Sequence, residues 1–243
     1  MDPGIYSAAT GLRETLRAQE ITANNLANVN TPGYKRRLAV FHPFQRVLAQ
    51  QLDQGTVLGG VVVDFSPGPI HHTGNPLDLA IEDKKAFFVL RGPQGYLYTR
   101  KGNFTLRGDG TIVDTVGRPL LADGGGELRV PPETREIRVT TSGEVYADQT
   151  AIGRIWVVEF EGPPPLVAAA YTAFALAEGA RQPATAAQPR ILQGALEGSN
   201  TNAVDELVSM IALLRSFEAS QRVAKTIDES LKETTTVAQQ SGG

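Results

Sequence analysis

Residues Ser199 to Val237 read SNTNAVDELVSMIALLRSFEASQRVAKTIDESLKETTTV, with no proline and no internal glycine. Asn200, Thr201 and Asn202 are all good helix N-caps, and Asp205 and Glu206 stand where a first turn prefers acid. Ala203, Leu207, Met210, Leu214, Phe217, Gln221, Ala224, Asp228 and Leu231 then alternate in steps of four and three. That is a heptad seam, firm to Phe217 and more polar after it. At 1.5 Å per residue such a helix runs to about 55 Å. A compact globule of this chain length has a radius of gyration of only about 18 Å. The helix is therefore expected to overshoot its own domain, and its seam to need a partner.

The other end of the chain supplies a matching stripe. Ile5, Ala9, Leu12, Leu16, Gln19, Ala23 and Leu26 repeat the same steps over residues 4–28. Paired with the C-terminal seam, this predicts a coiled-coil stem built from both ends of one chain. The alternative for the same stripe is an ordinary amphipathic helix lying on a globular core. Asn24, Asn25 and Asn28 gather near the helix end, where three amides suit a hydrogen-bonded subunit contact or a solvated helix terminus. Asn30-Thr31-Pro32-Gly33 stops the helix. The basic run Lys35-Arg36-Arg37 is short, and with a net charge of −3 it reads as a solvated or interface patch, not a nucleic-acid site.

Residues 37–66 carry little pattern and read as a linker, with a short helix over 45–54 and a strand at Val61-Val62-Val63-Asp64-Phe65. From Pro67 the period changes to two. Leu77, Leu79 and Ile81 predict a half-buried strand, Ala86 to Leu90 a second and Tyr96 to Arg100 a third. Phe104 to Leu106 and Thr111 to Val113 flank the turn Arg107-Gly108-Asp109-Gly110. Further strands are expected at Leu128–Val130, Ile137–Val139, Glu144–Tyr146 and Arg154–Phe160, while the Ala-rich stretch 168–187 reads as irregular. The expectation is an α+β chain: a helical stem from the two termini and a central antiparallel β domain, barrel or sandwich. Its segments are 1–36, an N-terminal helix and turn; 37–66, the linker; 67–197, the β domain; and 198–243, the C-terminal helix.

Little in the chain points to catalysis. It has no cysteine, which removes disulfides, thiolate metal sites and thiol nucleophiles. His71-His72 near Asp78 invites a metal, but neighbouring strand residues point to opposite faces, and His42 stands apart. There is no GxSxG elbow, Walker loop or HExxH pair. Gly124-Gly125-Gly126 lacks the Lys and Ser/Thr of a phosphate loop. A carboxylate pair of glycosidase type is not singled out by any residue. No cofactor, no metal and no enzymatic activity are expected. No run nears the roughly 20 apolar residues of a membrane helix, so no membrane insertion is expected. The start MDPGIYSAAT shows neither a basic nor an apolar signal region.

Three segments resemble one family. Thr22-Ala23-Asn24-Asn25-Leu26-Ala27-Asn28-Val29-Asn30-Thr31-Pro32-Gly33-Tyr34-Lys35-Arg36 is similar to the N-terminal signature of bacterial flagellar rod and hook proteins. A second match spans Gly68 to Leu106, through Thr73-Gly74-Asn75-Pro76-Leu77-Asp78 and Tyr98-Thr99-Arg100-Lys101-Gly102-Asn103-Phe104, and a third spans Gly194 to about Leu231. One departure is Glu82-Asp83-Lys84-Lys85, where the family often has a glycine-containing turn. The resemblance implies a structural subunit whose terminal helices pack with those of neighbours. It further implies residence in the flagellar basal body, in the rod that crosses the periplasm, and delivery by the flagellar type III export apparatus without a cleaved signal. Its partners would be copies of itself and other rod and hook proteins, with no nucleic acid. The opening Met1-Asp2-Pro3-Gly4-Ile5-Tyr6 and the lead-in Arg190 to Asn200 are most like the proximal-rod members. A distal-rod or hook-type axial protein is the alternative within the family. Outside it stand a β-domain enzyme and a surface-binding module with oligomerising helices. The expected interface residues are Ile5, Ala9, Leu12, Leu16, Asn24, Asn25, Leu26, Asn28, Leu207, Met210, Ile211, Leu214, Phe217 and Leu231.

Overall fold

A computed structural model describes residues 3–40, 60–170 and 172–240, and the chain divides into two compact units. The first unit holds residues 1–27, 37–64 and 202–243. In it, helix α1 (Pro3–Ala27) and helix α2 (Ala203–Gln240) pack against one another. Of the three candidate caps, Asn202 is the one that acts: its side-chain oxygen accepts the Val204 N–H at 2.9 Å. Strands β1 (Arg37–Ala39) and β2 (Val61–Val63) form an antiparallel ladder, with Leu38 opposite Val62, and β1 packs on α1. The part of the linker expected to hold a short helix lies outside the described residues, as does His42.

The second unit holds residues 28–36 and 65–201 and is built of antiparallel strands. They are β3 (Ile70–His72), β4 (Leu79–Ile81), β5 (Ala86–Gly92), β6 (Gly95–Thr99), β7 (Thr105–Leu106) and β8 (Ile112–Val113). There follow β9 (Ile137–Val139), β10 (Glu144–Ala147), β11 (Thr150–Arg154), β12 (Val157–Glu159) and β13 (Leu166–Ala170). The last are β14 (Ala173–Leu176), β15 (Ala184–Thr185), β16 (Ile191–Gln193) and β17 (Ala195–Glu197). The main sheet has the order β13-β14-β6-β5-β12-β15, beside a β11-β10-β9 sheet and the pairs β16-β4, β17-β3 and β7-β8. The sheet of six stays open, with β13 and β15 as separate edges, so among the described residues there is no closed barrel.

Strand β5 explains the position of the core. Phe87 and Phe88 point to opposite faces and both are buried, so this strand is covered on both sides. Phe88 meets Phe104 edge to face at 5.4 Å between centroids, and Leu79, Leu90, Leu120, Leu128, Ile155 and Ile191 are among the large side chains of the same cluster. The hairpin between β5 and β6 closes on Pro93-Gln94, with Gly92 opposite Gly95.

Four expectations change. The strand at Leu79–Ile81 is buried throughout, Ala80 included, because both of its faces are covered. The Ala-rich stretch is not irregular: it supplies β13, β14 and β15, since alanine has no strong preference against a strand that the sheet can pair. The span Arg154–Phe160 is split between β11 and β12. Leu128–Val130 makes no named strand; next to Leu128, Glu127 and Arg129 form only isolated bridges.

Gly102 shows how tightly the central motif packs. Its carbonyl accepts the Leu79 N–H at 2.9 Å, and a Cβ at this position would run into the Leu79 carbonyl oxygen. Backbone, not a flexible side chain, stands in the way. Gly102→Ala is therefore expected to cost about 1–3 kcal/mol through overpacking. Thermal denaturation followed by circular dichroism should show a Tm lower by several degrees; an unchanged Tm would contradict this packing.

Candidate functional site

Three charged side chains meet inside the β unit. Glu197, the last residue of β17, accepts at Oε1 from Lys35 Nζ at 2.7 Å and from the Gly68 N–H at 3.0 Å. At Oε2 it accepts from Arg100 Nε at 2.7 Å. The side chains of Lys35 and Glu197 are wholly buried, and that of Arg100 nearly so. Two cations face one carboxylate, and backbone carbonyls accept from further donors of both. Lys35 Nζ donates to the Ser66 carbonyl at 2.7 Å. Arg100 donates through Nη1 to the carbonyls of Asp83 and Ala86, and through Nη2 to that of Ile81. Every group that replaces water here is oriented and polar, which is the condition for burying ions at all.

The backbone around the cluster is drawn in with it. The Gly33 N–H donates to the Glu197 carbonyl at 2.7 Å. Gly33 sits at φ 65°, and a Cβ on it would strike the backbone of Arg100 and Lys101. Asn200 accepts the Arg36 N–H at 2.7 Å and donates to the Ser66 carbonyl at 3.0 Å. The turn Asn30-Thr31-Pro32-Gly33 is thus more than a helix stop. Lys35 is no solvated patch, as the basic run suggested: Glu197, far off in sequence, supplies its counter-charge. Each of the three motif segments shows its charged residue in the sequence, Lys35 and Arg100 beside other basic residues, and the pairing is not readable without the fold.

The expected interface residues sit differently. Side chains of Ile5, Ala9 and Leu231 lie outside the described residues. On α1 the buried positions are Thr15, Ala18, Thr22 and Asn25, one step off the predicted seam, while Leu16 is 45% exposed and Leu12 and Leu26 are partly covered. On α2 Glu206 is buried, and Ser209, Met210, Leu213, Phe217, Ser220 and Ala224 are partly covered. Val204, Leu207, Val208, Ile211 and Leu214 remain exposed, with Ile211 at 53%. At spacings of three and four they form an apolar ridge on one side of the helix. Asn24 is exposed and Asn28 partly covered, its side-chain oxygen accepting from the Thr31 hydroxyl at 3.1 Å. Asn25 is buried, and its amide pairs with the Arg37 backbone, donating to the carbonyl at 2.8 Å and accepting the N–H at 3.0 Å.

His71 and His72 are both exposed on β3, and among the described residues no group of three His, Cys, Asp or Glu is placed to hold a metal. Asp78 instead accepts from the Thr73 hydroxyl at 2.7 Å and from the Asn75 amide at 3.2 Å, closing its own turn. No helix among the described residues is long and apolar enough to cross a membrane.

Comparison with known proteins fits these positions. The family models described as "Flagella basal body rod protein", "Flagellar hook protein FlgE/F/G D1 domain" and "Flagellar basal body rod FlgEFG protein C-terminal" match residues 5–35, 80–147 and 192–237. The chain is 34% identical to the flagellar basal-body rod protein FlgF of Caulobacter vibrioides, over 95% of this chain and 94% of that one. It belongs to the flagellar basal-body rod protein family. The FlgF protein of Salmonella typhimurium is 31% identical over 95% of this chain and 96% of its own, and the FlgG protein of Bacillus subtilis 28% over 94% and 96%. As a rod protein of the proximal type it is structural and not an enzyme, and its place is the flagellum. Lys35, Arg100 and Glu197 fall one in each of the three matched segments.

Removing the shared carboxylate takes the counter-charge from two buried cations. Glu197→Ala in the rod protein is expected to lose about 3–5 kcal/mol. Urea denaturation should show the midpoint fall with the slope kept, and a midpoint within error of the parent would remove the cluster from its central role.

Proposed function

We propose that this rod subunit assembles through its terminal helices, with the apolar ridge of α2 as the principal contact to neighbouring subunits. The supporting observation is that Val204, Leu207, Val208, Ile211 and Leu214 are exposed although α1 already packs on α2. Burying one such side chain contributes about 1.5–3 kcal/mol, so a few per contact, repeated around a shaft, give stiffness. A heterologous contact that does not close generates a helical assembly, the geometry a rod requires. In that assembly α1 and α2 form the stem in coiled-coil fashion with neighbouring helices, and Leu16 adds to the apolar surface.

The partners in this reading are other copies of the chain and other rod and hook proteins. The subunit would lie in the part of the rod that crosses the periplasm, close to its base. It would arrive through the flagellar type III export apparatus, for which a chain without disulfides is a suitable passenger.

Leu214→Asp places a charge on the ridge but leaves the buried face of α2 alone. The variant should be soluble and keep the parent Tm within about a degree, since an exposed position is altered. Cells carrying it should lose motility and lack the subunit in purified basal bodies. Normal incorporation of both Leu214→Asp and Ile211→Asp would refute the ridge as the contact.

A further inference from the structure

The pairing of α1 with α2 raises a question that apolar packing does not answer. Asn25, near the end of α1, donates from Nδ2 to Glu206 Oε2 at 3.3 Å, in the first turn of α2. The start of α2 thus lies against the end of α1. Since the two helices also pack along one another, they run antiparallel. The α1 residues buried in this unit are Thr15, Ala18 and Thr22, small or polar and spaced by three and four. These fully buried α1 residues change little after a slip of two turns and so discriminate registers weakly, while the larger Leu12 and Leu26 of α1 and Met210, Leu213 and Phe217 of α2 are only partly covered. A buried polar contact draws a sharper distinction between registers than these side chains do.

Glu206 has the properties to do so. It is only 1% exposed, its carboxylate faces the Asn25 amide, and it lies in the first turn of α2, where the helix dipole favours an acid. Asn25 is itself fixed, because its amide is paired on both sides with the Arg37 backbone. A slip of α2 by two turns would carry the carboxylate about 10 Å from this anchor and leave the charge opposite Ala18 or beyond the end of α1. We propose that Glu206, read by the Asn25 amide, is the specificity-determining residue that fixes the register of α2 on α1. Register decides which side chains of α2 face outward, and therefore where along the chain the ridge presents Leu207, Ile211 and Leu214. The proposal concerns the pairing within one chain and stands apart from what the ridge contacts.

The chain has no cysteine, so introduced pairs can be cross-linked without background. Ala18 precedes Asn25 by two turns and Leu213 follows Glu206 by two turns, so an antiparallel register that opposes Asn25 to Glu206 also opposes Ala18 to Leu213. Ala18→Cys with Leu213→Cys reports this register; Ala18→Cys with Ser220→Cys, and Gly11→Cys with Leu213→Cys, report the two slipped ones. In the otherwise unaltered full chain only the first pair should form a disulfide on mild oxidation. With Glu206→Leu the slipped pairs should rise at least tenfold in yield, while helix content by circular dichroism is kept. Glu206→Gln, which still offers an oxygen to Asn25, should retain the original pattern. A Glu206→Leu chain that cross-links only through the first pair overturns the proposal. So does one that loses its helices, since the contact would then hold the packing and not select its register. Failure of the first pair in the unaltered background overturns it as well.

Discussion

The carboxylate of Glu197 is the point on which the β unit closes. It joins residue 35, residue 68 and residue 100, which lie far apart along the chain, through buried hydrogen bonds to one carboxylate. An ion buried this way is a poor source of net stability but a strict condition on geometry, because any arrangement that parts the three leaves a charge in a low-dielectric interior. The neighbouring contacts follow from that condition. Gly33 must come close enough to Arg100 and Lys101 to exclude a side chain, and Asn200 must reach both Arg36 and Ser66. The turn after α1 and the lead-in to α2 are therefore held to one body by a single acid.

Much of the architecture was legible from periodicity alone. The two long helices, the change to a two-residue period near Pro67, the β5/β6 hairpin and the turn at Arg107–Gly110 all follow from local chemistry acting over a few residues. What was not legible depends on partners distant in sequence. Lys35 stands in a run of three basic residues, and nothing local separates it from Arg36 and Arg37; the fold buries it because Glu197 arrives beside it. The Ala-rich strands failed for a related reason, since β13 and β14 take their conformation from pairing with β6 and each other, not from their own preference.

On α1 the buried positions lie one step from the apolar stripe, while on α2 Met210, Phe217 and Ala224 of the stripe are partly covered and Leu207 and Leu214 are exposed. Periodicity finds the apolar stripe of a helix, and the assumption was that the stripe faces the helix at the other end of the chain. Within the single chain the covered positions on α1 are Thr15, Ala18, Thr22 and Asn25, and those on α2 include Glu206. The larger apolar side chains Leu16, Leu207, Ile211 and Leu214 point elsewhere. The fully buried positions of the two helices are thus small or polar, and several large apolar side chains are left exposed.

Arg100 donates to three carbonyl groups around the bend between β4 and β5, those of Ile81, Asp83 and Ala86. Recognition of a bend through its main chain is indifferent to spelling. The stretch Glu82-Asp83-Lys84-Lys85 is constrained from another side: the Asp83 carboxylate accepts the Arg190 N–H at 2.9 Å and Glu82 pairs with the Arg190 side chain at 3.1 Å, so these acids tie the bend to the segment that leads into β16.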